Sequence, residues 1–220
     1  MSGTRTSATA FAPASVGNVA VGFDILGQSV AALGDRVRAT RRAERGVVIR
    51  SIKGVVSDLP LAPEKNTAGM AALALQRELD LPFGFELEID KGIPLGSGLG
   101  GSAASAVAAV VACAALADRP VDRTQLLKFA MHGEAVASGS VHVDNIAPSL
   151  FGGLVLTVGI DNPHVKQVPV PDAVRCVITL GTPFRDISAT HAARLVPIRP
   201  GGRSLRDAHD LRVHLGTPVP

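Results

Sequence analysis

Residues 94–118, PLGSGLGGSAASAVAAVVACAALAD, set Gly96, Gly98, Gly100 and Gly101 among Ser97, Ser102 and Ser105, ahead of an Ala/Val-rich run. The chemistry this pattern suits is anion binding. Glycines reach positive φ and put no Cβ between backbone and ligand, so successive N–H groups can converge on one charge. The serines add hydroxyl donors. A helix beginning near Ser102 adds its unpaired first-turn N–H groups and the positive end of its dipole. Phosphate is the natural guest. The spacing departs from the GxxxxGK[ST] loop, because no lysine follows, and from the dinucleotide fingerprint with its downstream acid. The competing reading is a glycine loop that only lets a helix pack close to a sheet.

Two other stretches carry polar groups in apolar surroundings. In PASVGNVAVGFD, residues 13–24, Asn18 offers a donor and an acceptor, and Asp24 could receive an ammonium or a hydroxyl. Asx-type turn formation is the alternative for both. In HGEAVASGSVHVDN, residues 132–145, Glu134 falls late in a helix, where the dipole disfavours a carboxylate unless a donor or cation compensates. His142 and Asp144 alternate as on a strand and would share a side, with Asn145 next to them. A carboxylate facing a phosphate loop suits Mg²⁺, which takes one or two carboxylates and completes its shell with phosphate oxygens and water. Zinc is the weaker reading, since HxD plus a distant Glu lacks tight ligand spacing. Solvated surface is the other alternative.

These residues need elements to hold them. TSATAFAPASV begins as a strand and breaks into a loop. DRVRATRRA and GVVIRSIKG alternate as strands around a charge-rich hairpin turn. NTAGMAALALQRELDL has helical spacing, and GFELEIDKGIP alternates as a strand. DRTQLLKFAMHGEAVAS is a second helix with Asp122 as N-cap. GGLVLTVG and VRCVITLG are expected as buried strands. The class is α+β. From about residue 198 the chain is rich in Arg, Gly and Pro with no sustained core-facing period.

The bulk composition excludes several function classes. Among 220 residues, 46% are hydrophobic and the net charge is +3, so a packed core is expected and a basic nucleic-acid stripe is not. There is no Trp or Tyr for base stacking, and the seven Phe are scattered. Cys113 and Cys176 sit in apolar runs and are expected as buried thiols, ahead of a disulfide or a metal pair. The longest apolar stretch, 103–117, is too short to span a bilayer. A soluble, cytoplasmic protein with no membrane or nucleic-acid partner is expected.

In this order and spacing, PASVGNVAVGFDILG, PLGSGLGGSAASAVAA and GEAVASGSVHVDNIAPSLFGG resemble the homoserine kinase family of the GHMP small-molecule kinases, over about residues 8–197. The resemblance implies two domains. Residues 1–155 would be a ribosomal-protein-S5-like α+β nucleotide-binding domain, and 156–220 an incomplete ferredoxin-like domain with an irregular tail. It implies ATP and Mg²⁺ as cofactors and phosphorylation of the L-homoserine hydroxyl, on the route to threonine. The loop Pro94, Leu95, Gly96, Ser97, Gly98, Leu99, Gly100, Gly101, Ser102, Ala103 and Ser105 would wrap the phosphates, with Ser102 at the metal and Glu134 holding it. Asn66 and Thr67 would line the adenine pocket. Asn18, Asp24, His142, Asp144 and Asn145 would form the homoserine pocket. Asp24 would take the amino group, and Asn145 would orient the hydroxyl. Thr190 and Arg194 would be substrate-side, Arg194 on the carboxylate. Asp24 as general base is the competing mechanism; other GHMP kinases acting on mevalonate, a sugar or a cytidyl diphosphate intermediate are the nearest rivals. Members of the family often form homodimers and continue through a further glycine-bearing segment and substrate-binding arginine. For this chain the resemblance therefore implies a shortened second domain, with strands near 152–180 lacking sheet partners, low solubility and little or no kinase activity. A non-catalytic remnant retaining at most nucleotide binding is the alternative.

Overall fold

The computed structural model describes residues 5–19, 22–139, 141–159, 162–171 and 213–215. Their elements run in the order β1 (Ser7–Val16), β2 (Leu26–Arg42), β3 (Val47–Gly54), α1 (Thr67–Glu78), β4 (Gly84–Lys91), α2 (Gly101–Ala114), α3 (Arg123–Ser138), α4 (Val143–Phe151), β5 (Leu154–Val158), β6 (His164–Val168) and β7 (Val213–Leu215). The class is α+β, as the sequence implies.

Strand alternation builds the core. Ala8, Ala10, Ala12 and Ala14 of β1, Val37 and Ala39 of β2, and Phe85, Leu87 and Ile89 of β4 are all buried. Helix α2 lies across β1 and β2, and α1 and α3 pack on it. Residues 103–113 of α2 are buried without exception, so this helix has no solvent face. Its alanines meet the alanines of β1, and small side chains on both sides let backbone approach backbone. Helix starts follow the chemistry of their first residues. Asp122 and Gln125 form a reciprocal capping box at α3, and the Asn66 side chain accepts from the Ala68 and Gly69 N–H groups at α1.

The order β3-β4-β2-β1-β7 corrects the expected hairpin. The segment after Arg42 does not fold β3 back onto β2. Strand β4 lies between them, antiparallel to β2 and parallel to β3. The link passes over the start of β4, where the Phe85 N–H donates to Gly46 O at 2.9 Å. A Cβ at Gly84 would run into the Glu44 and Gly46 carbonyls, so the crossing requires glycine there.

Between Pro13↔Gly34 and Ala14↔Val30 the register of β1 on β2 jumps, so residues 31–33 bulge outward. Beyond the bulge, Leu26–Gln28 of β2 pairs with β5, which also pairs with β6. The strand at GGLVLTVG therefore has partners on both sides, against the expectation that it would lack them. It is half-buried rather than buried throughout. VRCVITLG lies outside the described residues, as do Thr190 and Arg194. Among the described residues no helix is long and apolar enough to cross a membrane.

Candidate functional site

The glycine loop opens onto a cavity of about 490 Å³. Gly96, Gly98 and Gly100 have φ of 69°, 71° and 62°, the left-handed region that glycine enters without strain. A Cβ at Gly96 or Gly98 would meet nothing within 4 Å, so the loop surface faces open space. At Gly100 a Cβ would collide with Ser15 Oγ and lie 2.9 Å from Asn145 Oδ1. Gly100 is the N-cap of α2 and supplies no side-chain acceptor, so the first-turn N–H groups of α2 are left for a ligand. Ser97 Oγ is buried in the loop without a hydrogen-bond partner. Uncapped amides, an unsatisfied hydroxyl and a helix N-terminus on one cavity make a receptor for phosphate.

Across from the loop, Ser102 Oγ donates to Glu134 Oε1 at 2.9 Å. This is the donor that compensates a carboxylate late in α3. Glu134 is buried, and burial pushes its carboxyl above the ordinary carboxylate range. The Ser102 hydrogen bond, His142 and Lys91 pull it back down, while Asp144 adds to the rise. Asn66 and Thr67 also line the cavity. The Asn66 side chain, however, is largely committed: Oδ1 caps α1 and Nδ2 donates to Pro60 O at 3.0 Å.

The HxD segment is not a strand. His142 is the N-cap of α4, and Asp144 and Asn145 lie in its first turn, so the expected strand alternation fails. His142 and Asn145 line the cavity; Asp144 does not. Asp144 is buried, and its Oδ2 accepts from the Asn18 N–H at 3.0 Å. Gly17 has no Cβ to block this approach, where one would strike Asp144 Oδ2. Asn145 Oδ1 in turn accepts from Ser15 Oγ at 3.2 Å. Asn18 and Asp24 are exposed and lie off the cavity, both with positive φ. The Asp24 N–H donates to Asn18 Oδ1 at 2.9 Å, so the Asn18 side chain closes this loop in the manner of an Asx turn.

Comparison with known proteins agrees with this geometry. Residues 66–153 match the family described as GHMP kinases N terminal domain. The chain is 58% identical over 153 residues to a homoserine kinase of Xylella fastidiosa (strain M12), covering 70% of this chain and 48% of that protein. The chain carries a GHMP kinase N-terminal domain. It is also 40% identical over 199 residues to a homoserine kinase of Chlorobium phaeobacteroides (strain BS1), covering 86% of this chain and 62% of that one. A solved homoserine kinase from Cytophaga hutchinsonii superposes with a TM-score of 0.73 at 44% identity, over 78% of this chain and 54% of that one. The chain spans about half the length of the first of these relatives.

Two residues beneath the loop lie outside every motif of the sequence. Asp35 of β2 is wholly buried, and Lys91, the last residue of β4, nearly so. They form a direct ion pair. Lys91 Nζ also donates to Gly101 O and Ser105 Oγ, both at 2.8 Å. Ser105 Oγ donates to Asp35 Oδ2 at 2.6 Å. Ser105 therefore turns inward, and its hydroxyl proton is not offered to a phosphate as expected. The signal that could have found the pair is strand parity: Asp35 falls in phase with Val37 and Ala39, and Lys91 with Phe85, Leu87 and Ile89. Cys113 is buried and unpaired, and burial pushes its thiol far up, out of reach of nucleophilic use.

Proposed function

We propose that this protein transfers the γ-phosphoryl group of ATP to the hydroxyl of L-homoserine, giving O-phospho-L-homoserine, in the cytoplasm. The observation that carries the reading is one cavity holding both the uncapped N-terminus of α2 with its glycine loop and the Ser102–Glu134 pair. His142 and Asn145 stand on the same cavity, where an acceptor hydroxyl would have to lie. The similarity to homoserine kinases of Xylella and Chlorobium supplies the acceptor's identity.

Residues 1–155 act in this reading as the nucleotide-binding unit. The amides of the loop and first turn hold phosphate oxygens, with the buried Ser97 hydroxyl as a further donor. The Ser102 hydroxyl and Glu134 carboxylate are hard oxygen donors beside the phosphates, the ligand set Mg²⁺ accepts when phosphates complete its shell. Among the described residues no group of three or more His, Cys, Asp or Glu side chains could hold a metal by itself, which fits a cation carried in with the nucleotide. Held there, Mg²⁺ supplies charge neutralisation to the transferring group. Asn145 orients the acceptor hydroxyl, whose oxygen bonds to the γ-phosphorus as the bond to the ADP oxygen breaks. Its proton passes to solvent. Asp24 is not among the residues that line the cavity, which favours positioning over general-base catalysis as the source of rate.

A coupled ADP-release assay over homoserine, mevalonate and galactose tests the reading. Because β5 has sheet partners on both sides, against the ground given for an inactive shortened chain, turnover is expected with homoserine alone, and Asp24→Asn should keep the turnover number. Release with no acceptor in the panel, or with mevalonate in place of homoserine, would refute it.

A further inference from the structure

The loop from Pro94 to Gly100 has three left-handed glycines, two of them facing open space, and so little steric reason of its own to hold one shape. Its two ends nevertheless meet at a single buried carboxylate. Asp35 Oδ1 accepts from the Gly92 N–H at 3.0 Å and the Ile93 N–H at 3.3 Å, the residues that lead into the loop. Asp35 Oδ2 accepts from Ser105 Oγ at 2.6 Å and pairs with Lys91, whose ammonium donates to Gly101 O at 2.8 Å. Gly101 opens α2, where the loop ends, and Ser105 lies one turn further along the helix.

We infer that Asp35 is the positioning residue of the phosphate loop: it clasps the loop's entry and exit and so fixes where the amides of residues 94–103 point. All three Lys91 protons have partners within the clasp: Asp35, Gly101 O and Ser105 Oγ. Lys91 lines the cavity but serves as a strut rather than as a phosphate ligand. With the two charges paired, the clasp contributes orientation and little net field at the site. The inference rests on reading the loop as a phosphate site.

That division of labour has a specific signature. A group that only supports the fold would affect all ligands alike. A loop clasp affects ligands in proportion to their phosphates. The test measures displacement of a fluorescent ATP analogue from the full chain by ATP and by adenosine. In Asp35→Asn, ATP affinity should fall about tenfold, the equivalent of one charge-assisted hydrogen bond, with adenosine affinity unchanged. Ser105→Ala removes one arm while leaving the ion pair, and should lower the ATP-to-adenosine ratio about threefold, as for a weaker neutral bond. It serves as the readout should Asp35→Asn fold poorly. An unchanged ratio, a tighter ATP affinity, or equal weakening of both ligands would overturn the assignment. A tighter ATP affinity would mean that Lys91, once released, reaches the phosphates.

Amide hydrogen exchange over residues 92–103 distinguishes the two readings. If neither ligand displaces the analogue from the wild-type chain, the phosphate-site reading fails, and the clasp is judged by exchange alone. Faster exchange in Asp35→Asn confined to this segment supports the clasp. Equal exchange in variant and wild type refutes it.

Discussion

Replacing Lys91 with Met tests the buried pair most directly. Methionine keeps the length and apolar stem of the side chain and removes only the ammonium. In the wild type the Lys91 side chain is 7% exposed, against an Asp35 side chain with no exposed surface. Its loss leaves Asp35 charged and buried, with the Gly92 and Ile93 N–H groups and the Ser105 hydroxyl as remaining donors. Breaking a buried pair from one side costs about 3–5 kcal/mol, and three surviving donors place this case near the lower figure. Against a total stability of about 5–15 kcal/mol, that is a large fraction. Removing both charges, in Asp35→Asn with Lys91→Met, abolishes the uncompensated ion and should bring the protein back to within about 1 kcal/mol of wild type. The coupling between the sites would then be about 2 kcal/mol plus whatever Asp35→Asn costs alone. With no Trp or Tyr in the chain, urea unfolding is best followed by far-ultraviolet circular dichroism. A loss below about 1 kcal/mol for Lys91→Met would show that water reaches the pair. A double variant no better than the worse single one would show that packing, not charge, holds these strands and the helix together.

Two other outcomes follow from the site. Burial raises the Glu134 carboxyl above its unfolded value of 4.5, so the folded state prefers the protonated form, and stability held at acid pH is lost as pH rises through the raised value. Glu134→Gln, which keeps the acceptor for Ser102, should therefore be more stable than wild type at neutral pH, with the advantage vanishing toward acid pH; melting curves across pH check this, and a constant difference would contradict it. Gly98→Ala and Gly100→Ala both place Ala in the left-handed region, at about 1–2 kcal/mol each. Only Gly100→Ala also drives a Cβ into Ser15 and Asn145, for about 1–3 kcal/mol more, so thermal melts should separate the two, and equal losses would refute the packing argument.

The sequence announced some parts of this site and concealed others, for identifiable reasons. Caps and periodicities are local, so α1, α3 and their N-caps could be read from a few neighbouring residues. The glycine loop is local in the same sense, because positive φ and helix onset are properties of the segment itself. Strand adjacency is not. Alternation says which side of β2 and β3 faces the core but not that β4 inserts between them, and the short link after Arg42 invited the wrong pairing. The SVHVDN stretch alternates over too few residues to separate a strand from the N-terminus of a nine-residue helix, especially one containing Pro148. The exposed positions of Asn18 and Asp24 go with a hydrogen bond from the Asp24 N–H to the Asn18 side chain that residue type alone does not decide.

Asp35 and Lys91 belong to neither group, because their signal was present in the alternation itself. Two opposite charges stand where parity demands core residues, one within β2 and one ending the strand that leads into the glycine loop. Each charge alone would be an expensive misfit, since an isolated buried ion is not tolerated. Opposite signs on the core-facing side of two strands remove that objection only if the strands are neighbours. Pairing of β2 with β4 through Arg36↔Asp90 brings the two positions to the same end of the sheet, under the start of α2. The pair was therefore evidence for the strand order that the short link obscured. A charge in a core phase is a constraint on topology, and here the topology it requires is the one that anchors both ends of the glycine loop.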